Sequence, residues 1–230
     1  RGRLGLDTGG EPEPYPTPAG KAADRAVMKR GLEWCARHGI TSVQNMDGNL
    51  YQLELLSELE AEGDLLCRVK VPFHFKNFMT TDMLARASAM AERYASDWLS
   101  SGMVKVFMDG VLDSWTAVMI EPYADRPGWV GEPLFTQDAF DALAVEADRR
   151  GLQIAVHAIG DGAVRSVLDG YAAARRANGI RDSRHRIEHI EVVHPDDIPR
   201  FAALGVLASR QPPHPPGLAG FPLEPTVSRI

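Results

Sequence analysis

LQIAVHAIGDGAV, residues 152–164, decides the fold. Its first half alternates, placing Gln153, Ala155 and His157 on one face of a strand. Gly160 and Gly162 then turn the chain, and Val164, Val167, Leu168 and Tyr171 recur at helical spacing. A strand that ends on a histidine and passes at once into a helix reads as one βα unit.

The same arrangement recurs on both sides. VKVFMDG (104–110) is a strand followed by a turn, and RHRIEH (184–189) is another strand bearing histidines. Further out, apolar spacing predicts helices ending near His38, over 51–62, over 81–100 and over 137–150, and a last one opening at His194-Pro195. Strands are predicted at 40–46, 67–75, 103–109, 152–158, 185–191 and 206–211, with Pro72 weakening the second. Thr17-Pro18 supplies a helix start, and Gly39, Gly63, Gly102, Gly151 and Gly205 punctuate the elements. Residues 1–20, rich in Gly and Pro, read as an extended lead-in or linker, leaving 21–230 as one domain. The segment 110–136 is a long loop holding Trp115, Tyr123, Trp129 and three prolines, and loops of that length are usually functional or disordered.

Six strands alternating with helices predict an α/β protein with a parallel sheet, either open and doubly wound or closed as a β/α barrel. The first strand and the turn after it, ITSVQNMDGN, lack the glycine-rich phosphate loop of nucleotide-binding folds. Polar residues at the ends of several strands favour the barrel, whose sites lie at the C-terminal rim.

Composition narrows the class. The 230 residues are 44% hydrophobic and 24% charged, as in ordinary globular domains. A net charge of −6 argues against a nucleic-acid surface. No apolar run is long enough to span a bilayer, and no secretory h-region is visible, so no membrane partner is expected. Cys35 and Cys67 lack the spacing of a zinc knuckle and read as buried free thiols of a cytoplasmic protein.

Three side chains carry the candidate chemistry. Lys105 alternates with Val104 and Val106 and so points away from their apolar layer. A buried lysine is costly unless paired or neutralised. Its neutral amine can add carbon dioxide to give a carbamate, a carboxylate able to bridge two cations; the plain alternative is a salt-bridged lysine. His157 and His189 end their strands where a barrel would face its rim, and the alternative for each is a satisfied core histidine. Asp161 suits either a group orienting His157 or a helix N-cap. His185 reads as structural, and Glu188 points away from His189 or pairs with a neighbouring arginine. His38 ends a helix and His194 opens one, whereas His74 and His214 are candidate substrate-site groups. Two imidazoles and a bridging carboxylate suit zinc or a similar divalent ion. Such an ion generates hydroxide near neutral pH and polarises a carbonyl, which is hydrolytic chemistry.

HGITSVQNM (38–46), VKVFMDGVLDSWTAVMIEPY (104–123), LQIAVHAIGDGAV (152–164), RHRIEHIE (184–191) and GVLASRQPPH (205–214), taken in this order, resemble the metal-dependent amidohydrolase superfamily. The likeness is to its YtcJ-like branch, which includes the N-substituted formamide deformylases. The resemblance implies a TIM-type (β/α)8 barrel with a small β-sandwich. It implies a carboxylated Lys105 bridging metals, with His157 and His189 as metal ligands and catalytic residues. It also implies a substrate pocket lined by the DG-containing loop after Lys105, with Trp115, Thr116 and Tyr123, and makes Asp109 a candidate to contact substrate or support the ligands. The family's first strand carries an HxH pair and its last a metal-binding Asp, and neither occurs among these residues. The expectation is therefore an incomplete barrel of about strands two to seven, whose open sheet edges favour self-association or instability.

The function this implies is hydrolysis of carbon–nitrogen bonds in a small amide or cyclic amide. A ligand-binding or structural barrel fragment is the second reading, motivated by the missing ligands. A lyase or isomerase on the same scaffold is the third.

Overall fold

The structure is a computed structural model that describes residues 12 and 14–211. Its elements alternate as the sequence predicts, in shorter pieces. Helix α1 spans Pro18–Arg37, opened by Thr17, whose hydroxyl accepts from Gly20 N. Strand β1 (Ser42–Gln44) and helix α2 (Leu50–Ala61) follow. The strand predicted over 67–75 is split into β2 (Arg68–Lys70) and β3 (Phe73–His74). Pro72 separates them, because proline has no N–H to give to a ladder.

The helix predicted over 81–100 is corrected. Only Leu84–Arg93 forms α3, after one 3-10 turn at Thr81–Met83. The Ser96 hydroxyl then accepts from Leu99 N at 2.8 Å and closes a local turn. That side-chain bond competes with helix, and β4 (Leu99–Ser100) and β5 (Met103–Phe107) follow.

Beyond the loop come α4 (Gln137–Arg149), β6 (Gln153–Ala158), α5 (Asp161–Asn178), β7 (Arg186–His189), α6 (Ile198–Leu204) and β8 (Leu207–Ser209).

The chain divides into two compact units. The first takes residues up to Phe75 together with Asp82–Lys105, and the second takes Lys76–Thr81 and Val106 onward. In the first, β1, β2 and β4 form a parallel sheet in that order, with Val69 set between Val43 and Leu99. Also in the first, β3 pairs parallel with the start of β5, Phe73 opposite Val104 and His74 opposite Lys105. Leu53, Leu55, Leu56, Leu59, Cys67 and Val69 fill its core. Cys67 is buried as expected, whereas Cys35 is only half-buried, and both are free thiols.

In the second unit β6, β7 and β8 run parallel, with Val156 opposite Ile187 and Ile187 opposite Ala208. Helices α4 and α5 pack against one another, and Gly170 makes the approach possible. A Cβ there would meet the Phe140 ring at 2.5 Å. Parallel strands buried on both faces read as continuous apolar runs, and Ile154–Ala158 is buried throughout. Among the described residues no helix is long and apolar enough to cross a membrane.

Candidate functional site

His157 and His189 come together in the second unit. Both lie near the C-terminal ends of neighbouring strands, and their ring centroids are 4.6 Å apart, edge to face. The His157 ring also lies 4.8 Å from the Phe107 ring.

Their hydrogen bonds fix which nitrogen holds the proton. His157 Nε2 lies 2.9 Å from the carbonyl oxygen of Gly110 and 3.6 Å from Asp109 Oδ1. Both neighbours accept only, so Nε2 carries the hydrogen and, in the neutral ring, Nδ1 carries the lone pair. His189 is the reverse. Its Nδ1 lies 2.7 Å from Gln211 Oε1, while the Gln211 amide nitrogen faces Ser209 O at 3.5 Å. His189 Nδ1 therefore donates, and Nε2 carries the lone pair. A metal-binding histidine characteristically gives its other ring N–H to an oxygen, which orients the ring and raises its basicity. Both imidazoles meet that requirement, so the donor set fits a divalent ion. Among the described residues, no group of three or more His, Cys, Asp or Glu side chains gathers into a metal cage.

The backbone turns sharply at this point. His189 and Ile190 have φ of 77° and 54°, both in the left-handed region. Strain of that kind concentrates at functional sites. A side-chain contact at His189 and an apolar burial at Ile190, 3% exposed, hold the turn.

Asp109 acts as a fastener. Its Oδ2 accepts from Val118 N and Gly160 N at 2.9 Å each, and its Oδ1 from Ile159 N at 3.0 Å. It thereby ties the loop after β5 to the turn after His157. Burial pushes its carboxyl up to about 6, against the pull of the three backbone N–H groups. Asp161 serves the same seam. It is neither an N-cap nor a partner of His157; its Oδ1 accepts from Ile120 N and Gly162 N, each at 2.9 Å. Spacing did not reveal either role, because the donors are backbone groups up to 51 residues away.

Trp115 and Tyr123 belong to the loop's own small core, which holds Leu112, Ala117, Met119 and Ile159. Tyr123 is 1% exposed and its hydroxyl donates to Ala117 O at 2.8 Å. Trp115 is half-buried, gives its indole N–H to Asp125 and lies under the Arg126 guanidinium at 5.8 Å. His214 lies outside the described residues.

His185 is structural, as its position suggested. Ile154 N donates to its Nδ1 at 3.1 Å, so Nε2 carries the hydrogen and gives it to Asp148 Oδ1 at 3.1 Å. The ring stacks on Tyr171 at 4.9 Å. Burial depresses its pKa to about 4, against the attraction of Asp148. Glu188 is buried and paired with Arg186, which also reaches Ser209 Oγ at 2.7 Å.

Lys105 lies in the first unit. It is 3% exposed on β5 and is the register partner of His74.

Parallel βα units that carry two oriented imidazoles at successive strand ends define an α/β protein, and comparison with known proteins gives its family. The amidohydrolase family model matches residues 6–225. The chain belongs to the amidohydrolase family. It is 32% identical over 186 residues to the putative amidohydrolase YtcJ of Bacillus subtilis (strain 168), covering 81% of this chain and 34% of that protein. It is 26% identical over 170 residues to the N-substituted formamide deformylase of Arthrobacter pascens, covering 73% and 31%. A 119-residue stretch is 43% identical to the protein LONG AFTER FAR-RED 3 of Arabidopsis thaliana, covering 52% and 20%. Among solved structures, an uncharacterised metal-dependent hydrolase from Pyrococcus horikoshii OT3 superposes with a TM-score of 0.71 at 29% identity, covering 87% of this chain and 38% of that one. The chain thus spans about a third or less of the curated relatives it matches.

Proposed function

We propose that this chain is part of a metal-dependent hydrolase that cleaves carbon–nitrogen bonds in small amides or cyclic amides. The observation that carries the reading is the His157–His189 pair, with opposite ring nitrogens committed to oxygen acceptors. Membership of the amidohydrolase family and the likeness to a metal-dependent hydrolase support it.

In this reading His157 Nδ1 and His189 Nε2 would hold a divalent ion, zinc or a similar one, and the family resemblance would give Lys105, as its carbamate, the role of a further ligand. The bound ion supplies a water of lowered pKa and polarises the scissile carbonyl. The residues of this chain do the positioning. Gly110 O and Gln211 hold the two rings, and Asp109 and Asp161 fix the loop beside them. We place the chain as a segment of a TIM-type barrel, whose rim is where its strand-end histidines would lie.

The test is metal content and turnover of the intact protein, expressed with added zinc and bicarbonate. Bound divalent metal, and hydrolysis of at least one member of a panel of N-alkyl formamides, N-acyl amines and cyclic amides, is the expected result. Lys105→Ala retaining full activity, or protein that takes up no divalent metal, would sink the proposal.

A further inference from the structure

A cavity of about 80 Å³ opens in the second unit where the chain enters β7 and β8. β7 begins at Arg186 beside this cavity and ends at His189, so the cavity and the imidazole pair lie at opposite ends of the strand. Its walls are the segment 179–185 and the C-terminal ends of α4, α5 and α6.

Three guanidiniums line it, those of Arg175, Arg181 and Arg184. Arg175 Nη1 donates to Ala203 O. Arg181 gives Nε to Ser183 Oγ at 2.8 Å and Nη1 to Asp148 O. Arg184 gives Nε to Asp182 Oδ2 at 2.9 Å. A guanidinium carries five N–H donors. Among the described residues, Nη2 of Arg181 and both Nη of Arg184 therefore meet no acceptor. Arg184 is also held in place by its backbone. Its φ is 50°, in the left-handed region, and its carbonyl accepts from Gln153 Nε2 at 2.5 Å. Such strain persists only where the surroundings fix it.

The acidic groups here are already engaged. Asp148, 2% exposed, accepts from Ser183 Oγ at 2.6 Å, His185 Nε2 at 3.1 Å and Asn178 Nδ2 at 2.8 Å. Asp182 is paired with Arg184. Three guanidiniums against two carboxylates leave the lining one positive charge in excess, in a chain whose net charge is −6. The cavity thus offers spare donors and positive charge, which is the chemistry of an anion site. Water takes up about 30 Å³ per molecule, so the space suits one tetrahedral oxyanion in place of about two or three waters.

We propose that this cavity binds a phosphate dianion, free or as the head of a monoester, with Arg181 and Arg184 as its principal donors and Arg175 at its wall. Guanidiniums bind phosphate through paired N–H groups that match its oxygens. A bound phosphate bridges α5 to the segment entering β7 and stabilises the second unit by mass action. The proposal is independent of the hydrolase reading.

The experiment titrates the intact protein with inorganic phosphate at constant ionic strength, with chloride as the replaced anion, and follows heat of binding and thermal midpoint. Saturable binding with a rising midpoint is expected. Arg184→Gln, at a side chain 69% exposed and so safe for folding, should weaken binding by about tenfold or more. Arg184→Lys keeps the charge without the fork and should lose less. Arg175→Gln is a second variant on a separate element and should also weaken binding. Arg176→Gln, at the next residue of α5 and outside the lining, should bind as wild type does. Methyl phosphate is the second arm. Weaker binding than phosphate assigns the site to the free ion, and equal or tighter binding assigns it to a monoester. Absence of saturation by about 10 mM phosphate would overturn the proposal. So would wild-type affinity in both Arg184→Gln and Arg175→Gln, or an equal loss in Arg176→Gln, which would mark diffuse surface charge.

Discussion

Gly160 stands directly against the backbone of Val118: a Cβ at Gly160 would come within 2.1 Å of the Val118 carbonyl oxygen. The loop after β5 is thus seated on the turn that follows His157, at a spacing only glycine permits. Gly160→Ala must push the two segments apart, because the obstructing atoms are backbone and cannot rotate away. The expected cost is roughly 1–3 kcal/mol, the range for overpacking a close contact. Urea denaturation measures the stability. Limited proteolysis should show faster cleavage within 110–136, and unchanged cleavage there would contradict the close seating.

Asp109→Asn tests the electrostatic half of that seam. An amide has one acceptor oxygen for the three backbone N–H groups that Asp109 now satisfies, and its own NH2 would face donors. Leaving buried N–H groups without an acceptor costs about 1–3 kcal/mol. A variant as stable as wild type in denaturant would show that the three bonds contribute little.

The long helices were legible because their signals are local. Thr17 with Pro18 marks one start, and the structure has Thr17 capping that helix; Asn49 and Thr136 cap α2 and α4 in the same way. The stretch 94–100 was not legible as strand, since two residues, Leu99 and Ser100, carry no periodicity to read. Lys105, His157 and His189 stood out as polar ends of apolar strands. What fixes the two imidazole tautomers was hidden. One acceptor is a backbone carbonyl at Gly110, 47 residues away, and the other is Gln211, 22 away. Spacing along the chain does not encode such meetings. Asp109 and Asp161 were visible as polar residues near the strand ends, but their task of holding a loop depends on tertiary placement alone.

Acid should destabilise the second unit through His185. Its folded pKa, about 4, lies below the ordinary 6.5, because burial penalises the charged ring. Between these values the unfolded chain binds a proton that the folded chain refuses. The stabilisation is thus complete above pH 6.5 and is lost as pH falls toward 4, at a limiting slope of about 1.4 kcal/mol per pH unit. Asp109 has the opposite sign. Its folded value of about 6 lies above the ordinary 3.8, so its contribution is present below 3.8 and lost as pH rises through 6. The two partly cancel across pH 4–6. His185→Gln should therefore flatten or reverse the acid loss of stability, and Asp109→Asn should steepen it. Denaturation midpoints measured across this range decide the matter; parallel pH profiles for wild type and both variants would refute it.

Gln211 should govern metal affinity without touching the metal. Its Oε1 accepts from His189 Nδ1 at 2.7 Å and so keeps the lone pair on Nε2. Gln211→Leu removes that acceptor, freeing the ring to rotate and to exchange tautomers. Loss of such an outer partner characteristically weakens metal binding by about 10–100-fold. Gln211→Glu should retain or strengthen binding, since a carboxylate accepts the same bond and raises the basicity of the ring. His157→Ala should cost more than Gln211→Leu, because it deletes a donor rather than the group that orients one. Competition with a chromophoric zinc chelator, on intact protein stripped of metal and reloaded, ranks the variants. The order expected is wild type and Gln211→Glu tightest, then Gln211→Leu, then His157→Ala. Wild-type affinity in both Gln211→Leu and His157→Ala would show that these imidazoles hold no metal.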